Sequence, residues 1–280
     1  MTTLRRRMLE DLQLRGLAPK TQQGDVAAVR QLAQNYRRPP DQLSEEELRQ
    51  YFLYLLNDKK VAESTFRIHL YGIRFFYERT LQRPWPLFAL TRPRHSQKLP
   101  VVLSPQEVRS LLAVVTRPKA QMCLRMISAC GLRLREGAYL QVADIDPQRL
   151  RVRVRQGKGG KDRYMPLAEQ TLDLLRMYWQ RERPRPWLFP ARHQPTPLSA
   201  TTLQKTFKRV LRQSGLSKDA SIHTWRHSYA THLVERGVSW RVIQELLGHQ
   251  SPSTTARDTH LTPKTFDVVH ATINALMADL

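Results

Sequence analysis

Four short segments of this chain carry arginine, lysine and histidine residues of the types that can bind a phosphate group. They are residues 131–136, 157–163, 223–232 and 246–249. Attack on a phosphodiester builds negative charge on its nonbridging oxygens, and fixed cationic donors can meet that charge without a metal ion. Arginine suits this role because its planar guanidinium donates two hydrogen bonds to phosphate and stays charged. The segments are therefore candidates for a cationic pocket that binds phosphate.

The third segment places two candidate donors on one helix. His223 and Arg226 are three residues apart, a spacing that puts both side chains on the same helical face, where they can address one phosphate. Lys158 lies in a glycine-rich turn, where backbone can approach a phosphate closely. Taken singly, Lys158 could be a solvated cation and His223 a capping or core histidine. Their combination with the other segments favours a functional pocket.

A metal site is the competing interpretation of the histidines. His223 and His227 are four residues apart, as metal-binding pairs on helices often are. No glutamate adjoins the first histidine as in a zinc hydrolase, and Arg226 between them would repel a cation. Cys123 and Cys130 lack the tight spacing of zinc ligands, and the apolar run before Cys130 indicates burial. We therefore predict no metal and no other cofactor.

The order and spacing of the four segments resemble those of the tyrosine recombinase family, the phage-integrase-type enzymes that cut and rejoin DNA without metal or ATP. By this resemblance, Arg133 and Arg226 clamp the scissile phosphate, and Glu136 is the supporting acid of the pocket. Lys158 would protonate the leaving 5′ oxygen as general acid. His249 would add a further donor or proton-transfer group.

One position departs from the pattern of that family. The attacking tyrosine of the family lies shortly after the Leu-Gly-His motif, and the matching position here, nine residues after His249, holds Asp258. No tyrosine follows it up to Leu280. Aspartate is shorter than tyrosine, and its attack would give a labile acyl phosphate in place of an inert phosphotyrosine. We expect DNA site binding with little or no strand cleavage; the alternatives are a binding-only regulator or architectural protein and a hydrolase that nicks DNA.

The charge balance points to the same partner. The chain has 280 residues, with 46 Lys+Arg against 24 Asp+Glu, a formal net charge of +22 and a sequence pI of about 10.8. Such an excess favours a polyanion and a salt-sensitive affinity. No apolar stretch approaches the roughly 20 residues that span a bilayer. We predict double-stranded DNA as the partner, no membrane, and a cytoplasmic, nucleoid-associated protein; the resemblance implies a homotetramer on two DNA sites.

Residues 1–92 are predicted to form a helical domain of about four helices, because apolar residues recur there at intervals of three and four. Ser44 begins a capping box, and Ser64 is predicted to open a later helix. Arg67 and Arg74 on that helix are candidate contacts to DNA phosphates. The resemblance implies that this domain is a SAM-like core-binding domain.

Residues 93–100 are basic, contain Lys98 and are bounded by prolines, which predicts an interdomain linker that can lie along DNA. Residues 101–280 form the predicted catalytic domain, whose first helix starts at Ser104 with a capping box. We expect Lys98 to contact DNA.

The catalytic domain is predicted to be α+β, so the chain as a whole is mainly α. Alternating apolar and basic residues over 150–167 predict a small antiparallel sheet with a glycine-rich turn. Lys161 and Arg163, beside that turn, are candidate DNA contacts. Residues 266–277 read as an amphipathic helix that packs on a neighbouring subunit or on its own domain. Three residues at helical spacing are predicted to be core: Trp225, Tyr229 and Leu233.

Overall fold

The chain folds into two compact units, Met1–Lys98 and Leu99–Leu280. The computed structural model describes residues 2–90, 101–155, 162–191, 196–248 and 263–278. These residues are mainly helical with one small sheet, so the predicted fold class is confirmed. In the described part of the chain, no helix combines the length and apolarity needed to cross a membrane. The predicted linker, with Lys98, lies outside the described residues.

The first unit is built from four main helices, as predicted, followed by a π-helical turn and one short helix. They are α1 (Thr3–Leu14), α2 (Pro19–Tyr36), α3 (Glu45–Asn57), α4 (Glu63–Phe75), the π turn Phe76–Thr80 and α5 (Leu87–Leu90). Ser44 and Glu47 form the predicted capping box at the start of α3. The helix predicted to open at Ser64 is present and begins one residue earlier, at Glu63. Its N-cap is Ala62, without a side-chain cap, and Glu63 supplies a negative charge near the helix N-terminus.

The closest helix packing in the first unit depends on a glycine. A Cβ atom at Gly72 of α4 would lie 2.8 Å from the Cα and 3.0 Å from the carbonyl oxygen of Asp25 on α2. Because those atoms belong to backbone, a side chain at position 72 would force the two helices apart. The surrounding core includes Leu32 and Ile73, both fully buried.

Gly72→Ala is therefore expected to lower the free energy of unfolding by about 1–3 kcal/mol, the usual cost of overpacking. Gly24→Ala is the matched control, because a Cβ there meets only Ile68 Cγ2 at 3.6 Å, an ordinary contact. In the helical α2, this control should raise stability by about 0.5–1 kcal/mol. Urea unfolding of the whole chain measures both, and equal effects of the two substitutions would contradict the packing argument.

The second unit has a helical body into which a small sheet is inserted. Its helices are α6 (Pro105–Ala113), α7 (Pro118–Ala129), α8 (Leu134–Ala138), α9 (Glu169–Glu182), α10 (Ala200–Gln213), α11 (Ile222–Glu235), α12 (Trp240–Leu247) and α13 (Pro263–Ala278). The predicted capping box of Ser104 and Glu107 starts α6, with Pro105 at the first helical position. Helix α7 is buried along most of its length and α11 packs against it. Trp225, Tyr229 and Leu233 are core residues, as predicted.

Both cysteines belong to this core. Cys123 and Cys130 are buried and not disulfide-bonded, as their apolar surroundings indicate. Burial raises the pKa of each thiol, so neither is a reactive thiolate at neutral pH.

The sheet has three antiparallel strands in the order β1-β2-β3: β1 (Ile145–Asp146), β2 (Arg151–Val154) and β3 (Arg163–Pro166). The predicted β2 and β3 pair with Val152 opposite Met165, and these two side chains face the core. Strand β1 was not predicted, because two residues are too few to show alternation. The turn between β2 and β3, with Lys158 and Lys161, lies outside the described residues.

Helix α13 packs on its own unit in this structure. Residues Val269, Ile273 and Leu276 are buried, and the helix contacts α9, α11 and β3. The Asn274 side-chain oxygen accepts a hydrogen bond from the backbone N–H of Glu169 at 3.1 Å. In this single chain the C-terminal helix therefore packs on its own unit, and packing on a neighbouring subunit stays a prediction.

Candidate active site

Arg133 is fixed at the start of a short helix by the acid three residues later. It is the N-cap of α8; its backbone N–H donates to Glu136 Oε2 at 2.8 Å, and its Nη1 donates to Glu136 Oε1 at 2.7 Å. The turn before it needs a glycine, because Gly131 has φ +56° and a Cβ there would lie 2.5 Å from the ring of Tyr229. The i, i+3 spacing of Arg133 and Glu136 thus works as a cap and an ion pair together.

Glu136 is the centre of the cluster. Its side chain is only 8% exposed, and Arg133, Arg163 and Arg226 lie within 2.7, 2.7 and 3.8 Å of its carboxylate. Burial raises the pKa of Glu136, but the hydrogen bonds and charges of Arg163 and then Arg133 outweigh burial and lower the pKa to about 2. Glu136 is therefore ionised at neutral pH. Three guanidinium groups around one carboxylate leave the cluster with an excess of positive charge that favours an anion.

Arg226 reaches this cluster from α11. Its side chain is 2% exposed; Nη1 donates to the carbonyl oxygen of Gly131 at 2.7 Å, and Nη2 donates to that of Leu247. Burial and then the charge of Arg133 lower the pKa of Arg226 to about 9, although Glu136 acts in the opposite direction. The guanidinium is still cationic at pH 7 and is held rigidly by backbone acceptors.

His223 lies one helical turn before Arg226, with an exposed side chain. Burial of part of the ring, and then the charges of His227, Arg226 and Arg133, lower the pKa of His223. The imidazole is therefore neutral at pH 7, able both to donate and to accept a proton. Its ring centroid is 4.7 Å from that of His227. Arg133, Glu136 and Arg226 thus form one group of contacting side chains, and His223 lies one helical turn from Arg226.

Arg163 has a different environment from the one predicted. As a DNA contact it would be exposed, yet its side chain is 12% exposed and faces Glu136. Its Nη1 and Nη2 donate to the two carboxylate oxygens of Glu136 at 3.0 and 2.7 Å, and its Nε donates to Leu246 O at 2.8 Å. This pairing is typical of a residue that stabilises the cluster and is less typical of a residue that contacts DNA. Sequence reasoning missed it because the partners are distant in the chain.

The roles of the other predicted site residues stay predictions. Lys158, His249 and Asp258 lie outside the described residues. Arg74, with 43% of its side chain exposed, pairs with Glu78 of the following π turn at 2.9 Å, and Arg67 is half-buried.

Helix α10 has a basic face that was not predicted from the sequence. On α10, Leu203, Phe207 and Val210 are buried, whereas Lys205 and Lys208 are exposed. The alternation of apolar and basic residues at helical spacing was the available signal. Exposed lysines on one helix face provide an additional cationic surface in the second unit.

Both parts of this chain are similar to known protein families. The model of the Phage integrase family matches residues 101–265, more than half of the chain. The chain belongs to the phage integrase family. The model of the N-terminal SAM-like domain of phage integrases also matches this chain, over residues 4–87. The predicted family and the SAM-like character of the first domain are therefore confirmed.

Relatives of this integrase-family chain carry recombinase names. A "Putative integrase/recombinase" of Sinorhizobium fredii is 42% identical over 257 residues, which cover 91% of this chain and 83% of that protein. An integrase/recombinase of Escherichia coli is 34% identical, covering 80% and 79%. The tyrosine recombinase XerD of Lacticaseibacillus casei is 34% identical, covering 76% and 77%.

Solved structures share the fold of this family member. A lambda integrase tetramer bound to a Holliday junction has a TM-score of 0.71 at 19% identity, covering 93% of this chain and 80% of that one. The Tn1549 transposon integrase in complex with circular intermediate DNA has a TM-score of 0.70 at 16% identity, covering 96% and 98%. At these identities the likeness concerns the fold.

Proposed function

We propose that this chain binds duplex DNA at a short inverted-repeat site and holds one phosphodiester in the pocket around Arg133 and Arg226. The observation that carries the proposal is the convergence of both arginines, from α8 and α11, on the buried carboxylate of Glu136. Glu136 and the backbone carbonyls fix the guanidinium groups before any ligand arrives. Such preorganised donors favour the charge that develops on a phosphate during attack.

The proposed roles of the pocket residues follow from their chemistry. Arg133 and Arg226 would donate to the nonbridging oxygens, and the neutral His223 would add a donor from the same helix face. By family resemblance, Lys158 would protonate the leaving 5′ oxygen, and His249 would assist as a donor or proton carrier. No metal takes part in this scheme, since the arginines supply the positive charge.

We further propose that the chain is deficient in strand cleavage. Asp258 occupies the position at which the family has its attacking tyrosine, and its shorter side chain would have to reach the phosphorus through a backbone shift. An acyl phosphate would also hydrolyse, whereas a phosphotyrosine keeps the bond energy for rejoining. Site binding and pairing of sites would then proceed with little strand exchange.

The domain arrangement in this proposal follows the sequence. Residues 1–92 bind the core of the DNA site, residues 93–100 link the domains, and residues 101–280 hold the scissile phosphate. We propose a homotetramer on two DNA sites in the cytoplasm, associated with the nucleoid. The lambda integrase structure named above is a tetramer on a Holliday junction, which supports this assembly.

Asp258 also favours a second candidate function. A binding-only regulator or architectural protein would need the fold and the DNA surface but no nucleophile. A third candidate, a nicking hydrolase, would use Asp258 or water. A suicide-substrate assay distinguishes the three, because a covalent adduct, a free nick and intact DNA are separate products.

The binding proposal predicts a palindromic protected site when the chain is footprinted on genomic fragments. Affinity for that site should fall by about 10³-fold or more between 50 and 200 mM salt if six or more phosphates are contacted. Substituting both Lys205 and Lys208 by alanine should make the salt dependence shallower, while Arg176→Ala, at an exposed intrahelical ion pair, should not. A nearly flat salt dependence, or no protected site, would contradict the proposal.

A further inference from the structure

Three arginines from three different elements cap the end of α12. Arg163 of β3, Arg226 of α11 and Arg133 of α8 each donate a hydrogen bond there. Their acceptors are three successive carbonyl oxygens, those of Leu246, Leu247 and Gly248 in that order. The last carbonyls of a helix lack partners within the helix and carry partial negative charge, so guanidinium groups stabilise them.

The same three side chains also surround Glu136, but they share it unequally. Arg163 uses both ends of its guanidinium fork for the carboxylate, at 3.0 and 2.7 Å, whereas the Arg133 side chain uses one nitrogen at 2.7 Å, beside the bond from its backbone N–H at 2.8 Å. Arg226 stands farther away, at 3.8 Å. Arg163 thus supplies the bidentate side-chain contact to Glu136, and the guanidinium groups of Arg133 and Arg226 keep uncommitted N–H groups, since each carries five donors.

We propose that Arg163 is a positioning residue of the pocket: it fixes Glu136 and the C-terminal end of α12 so that Arg133 and Arg226 present their free N–H groups to one phosphate. This inference rests on the proposed function of the pocket. Arg163 acts through Glu136 and α12 and does not itself contact the phosphate.

The physical reason is competition for a buried carboxylate. Without Arg163, the burial of Glu136 would be compensated only by Arg133 and Arg226, and the carboxylate would compete with a ligand for their N–H groups. A lysine at position 163 would restore the charge but not the two-point fork or the bond to α12.

The test is a titration of the whole chain with inorganic phosphate, followed through the Nε resonances of Arg133 and Arg226. Arg163→Gln should weaken phosphate binding at least about tenfold, and Arg163→Lys about three- to tenfold, since the fork is lost in both. Affinity for random-sequence duplex DNA should change less than about threefold, because one buried residue contributes little to a many-phosphate contact. Arg153→Gln is the matched control, since Arg153 pairs with Asp162 at the surface with 47% of its side chain exposed.

A double substitution shows whether Arg163 acts through Glu136. In a Glu136→Gln background, adding Arg163→Gln should weaken phosphate binding further by clearly less than the roughly tenfold lost in the parent background, because only the bond to the end of α12 is then still to be lost. Full additivity would overturn the proposal, as would a phosphate affinity equal to that of the parent chain or a parallel loss of duplex affinity.

Two further outcomes would also decide the role of Arg163. If Arg163→Gln does not fold, Arg163→Lys decides, and a lysine variant that binds phosphate as well as the parent chain overturns the proposal. If the two arginine resonances of the parent chain do not respond to phosphate at all, the pocket itself is wrong and the role of Arg163 is rejected with it. A responding parent with an unaffected Arg163→Gln variant rejects the positioning role alone.

Discussion

Asp258→Tyr is expected to give a chain that attaches covalently to its site DNA through a 3′-phosphotyrosyl bond, whereas the parent chain forms no such adduct. In the proposed assignment, the other pocket positions, from Arg133 to His249, hold the residue types that the family resemblance implies, and the attacking group alone differs. With a phenol supplied, the fixed guanidinium groups would stabilise the pentavalent phosphate while Lys158 protonates the leaving oxygen. The expected change is from no adduct above background to a detectable covalent adduct between protein and DNA.

Denaturing electrophoresis of end-labelled site DNA in the presence of a chelator measures this adduct, which should disappear on protease treatment. Asp258→Phe is the matched control, because it supplies the ring without the hydroxyl and should give no shifted band. A tyrosine variant that binds the site normally yet gives no adduct would show that the pocket lacks more than its nucleophile. The binding-only function would then replace the cleavage-related one.

Local signals in the sequence predicted the parts of the fold that depend on neighbouring residues. Each capping box joins a serine, Ser44 or Ser104, to a glutamate only three residues later, so the start of each helix could be predicted from the sequence. Strand alternation gave the hairpin of β2 and β3 for the same reason. At α4, Ser64 had the right residue type, but the helix starts at Glu63 without a side-chain cap, so a serine near the expected start did not decide it.

Arg163 illustrates what could not be read from the sequence. Its position beside a basic turn predicted a DNA contact, because charge and turn chemistry are local properties. Its partners, Glu136 and Leu246, lie 27 and 83 residues away in the chain, and only the fold brings them together. The burial of Arg226 is a similar case, since helical spacing predicted its face but not that backbone carbonyls would hold its guanidinium.

The burial of the Arg226 guanidinium also determines the expected effect of removing it. In the Asp258→Tyr background, Arg226→Ala should lower the rate of covalent attachment by about 10²- to 10³-fold, the usual effect of removing one preorganised donor to a developing oxyanion. Affinity for site DNA should fall by less than about threefold, since one phosphate contact among many is lost. Attachment rates on a suicide substrate and equilibrium binding measure the two effects separately.

Because Arg226 also bonds to Gly131 and Leu247, a loss of fold must be separated from a loss of catalysis. Arg226→Lys keeps a cation but not the fork, and it should give a smaller loss of attachment rate than alanine. Arg176→Ala, on the exposed face of α9, should leave both rate and affinity unchanged. Site binding then serves as the reference: a variant that binds as the parent does but attaches slowly has lost donors to the transition state. Equal losses of rate and affinity would instead assign Arg226 a structural role.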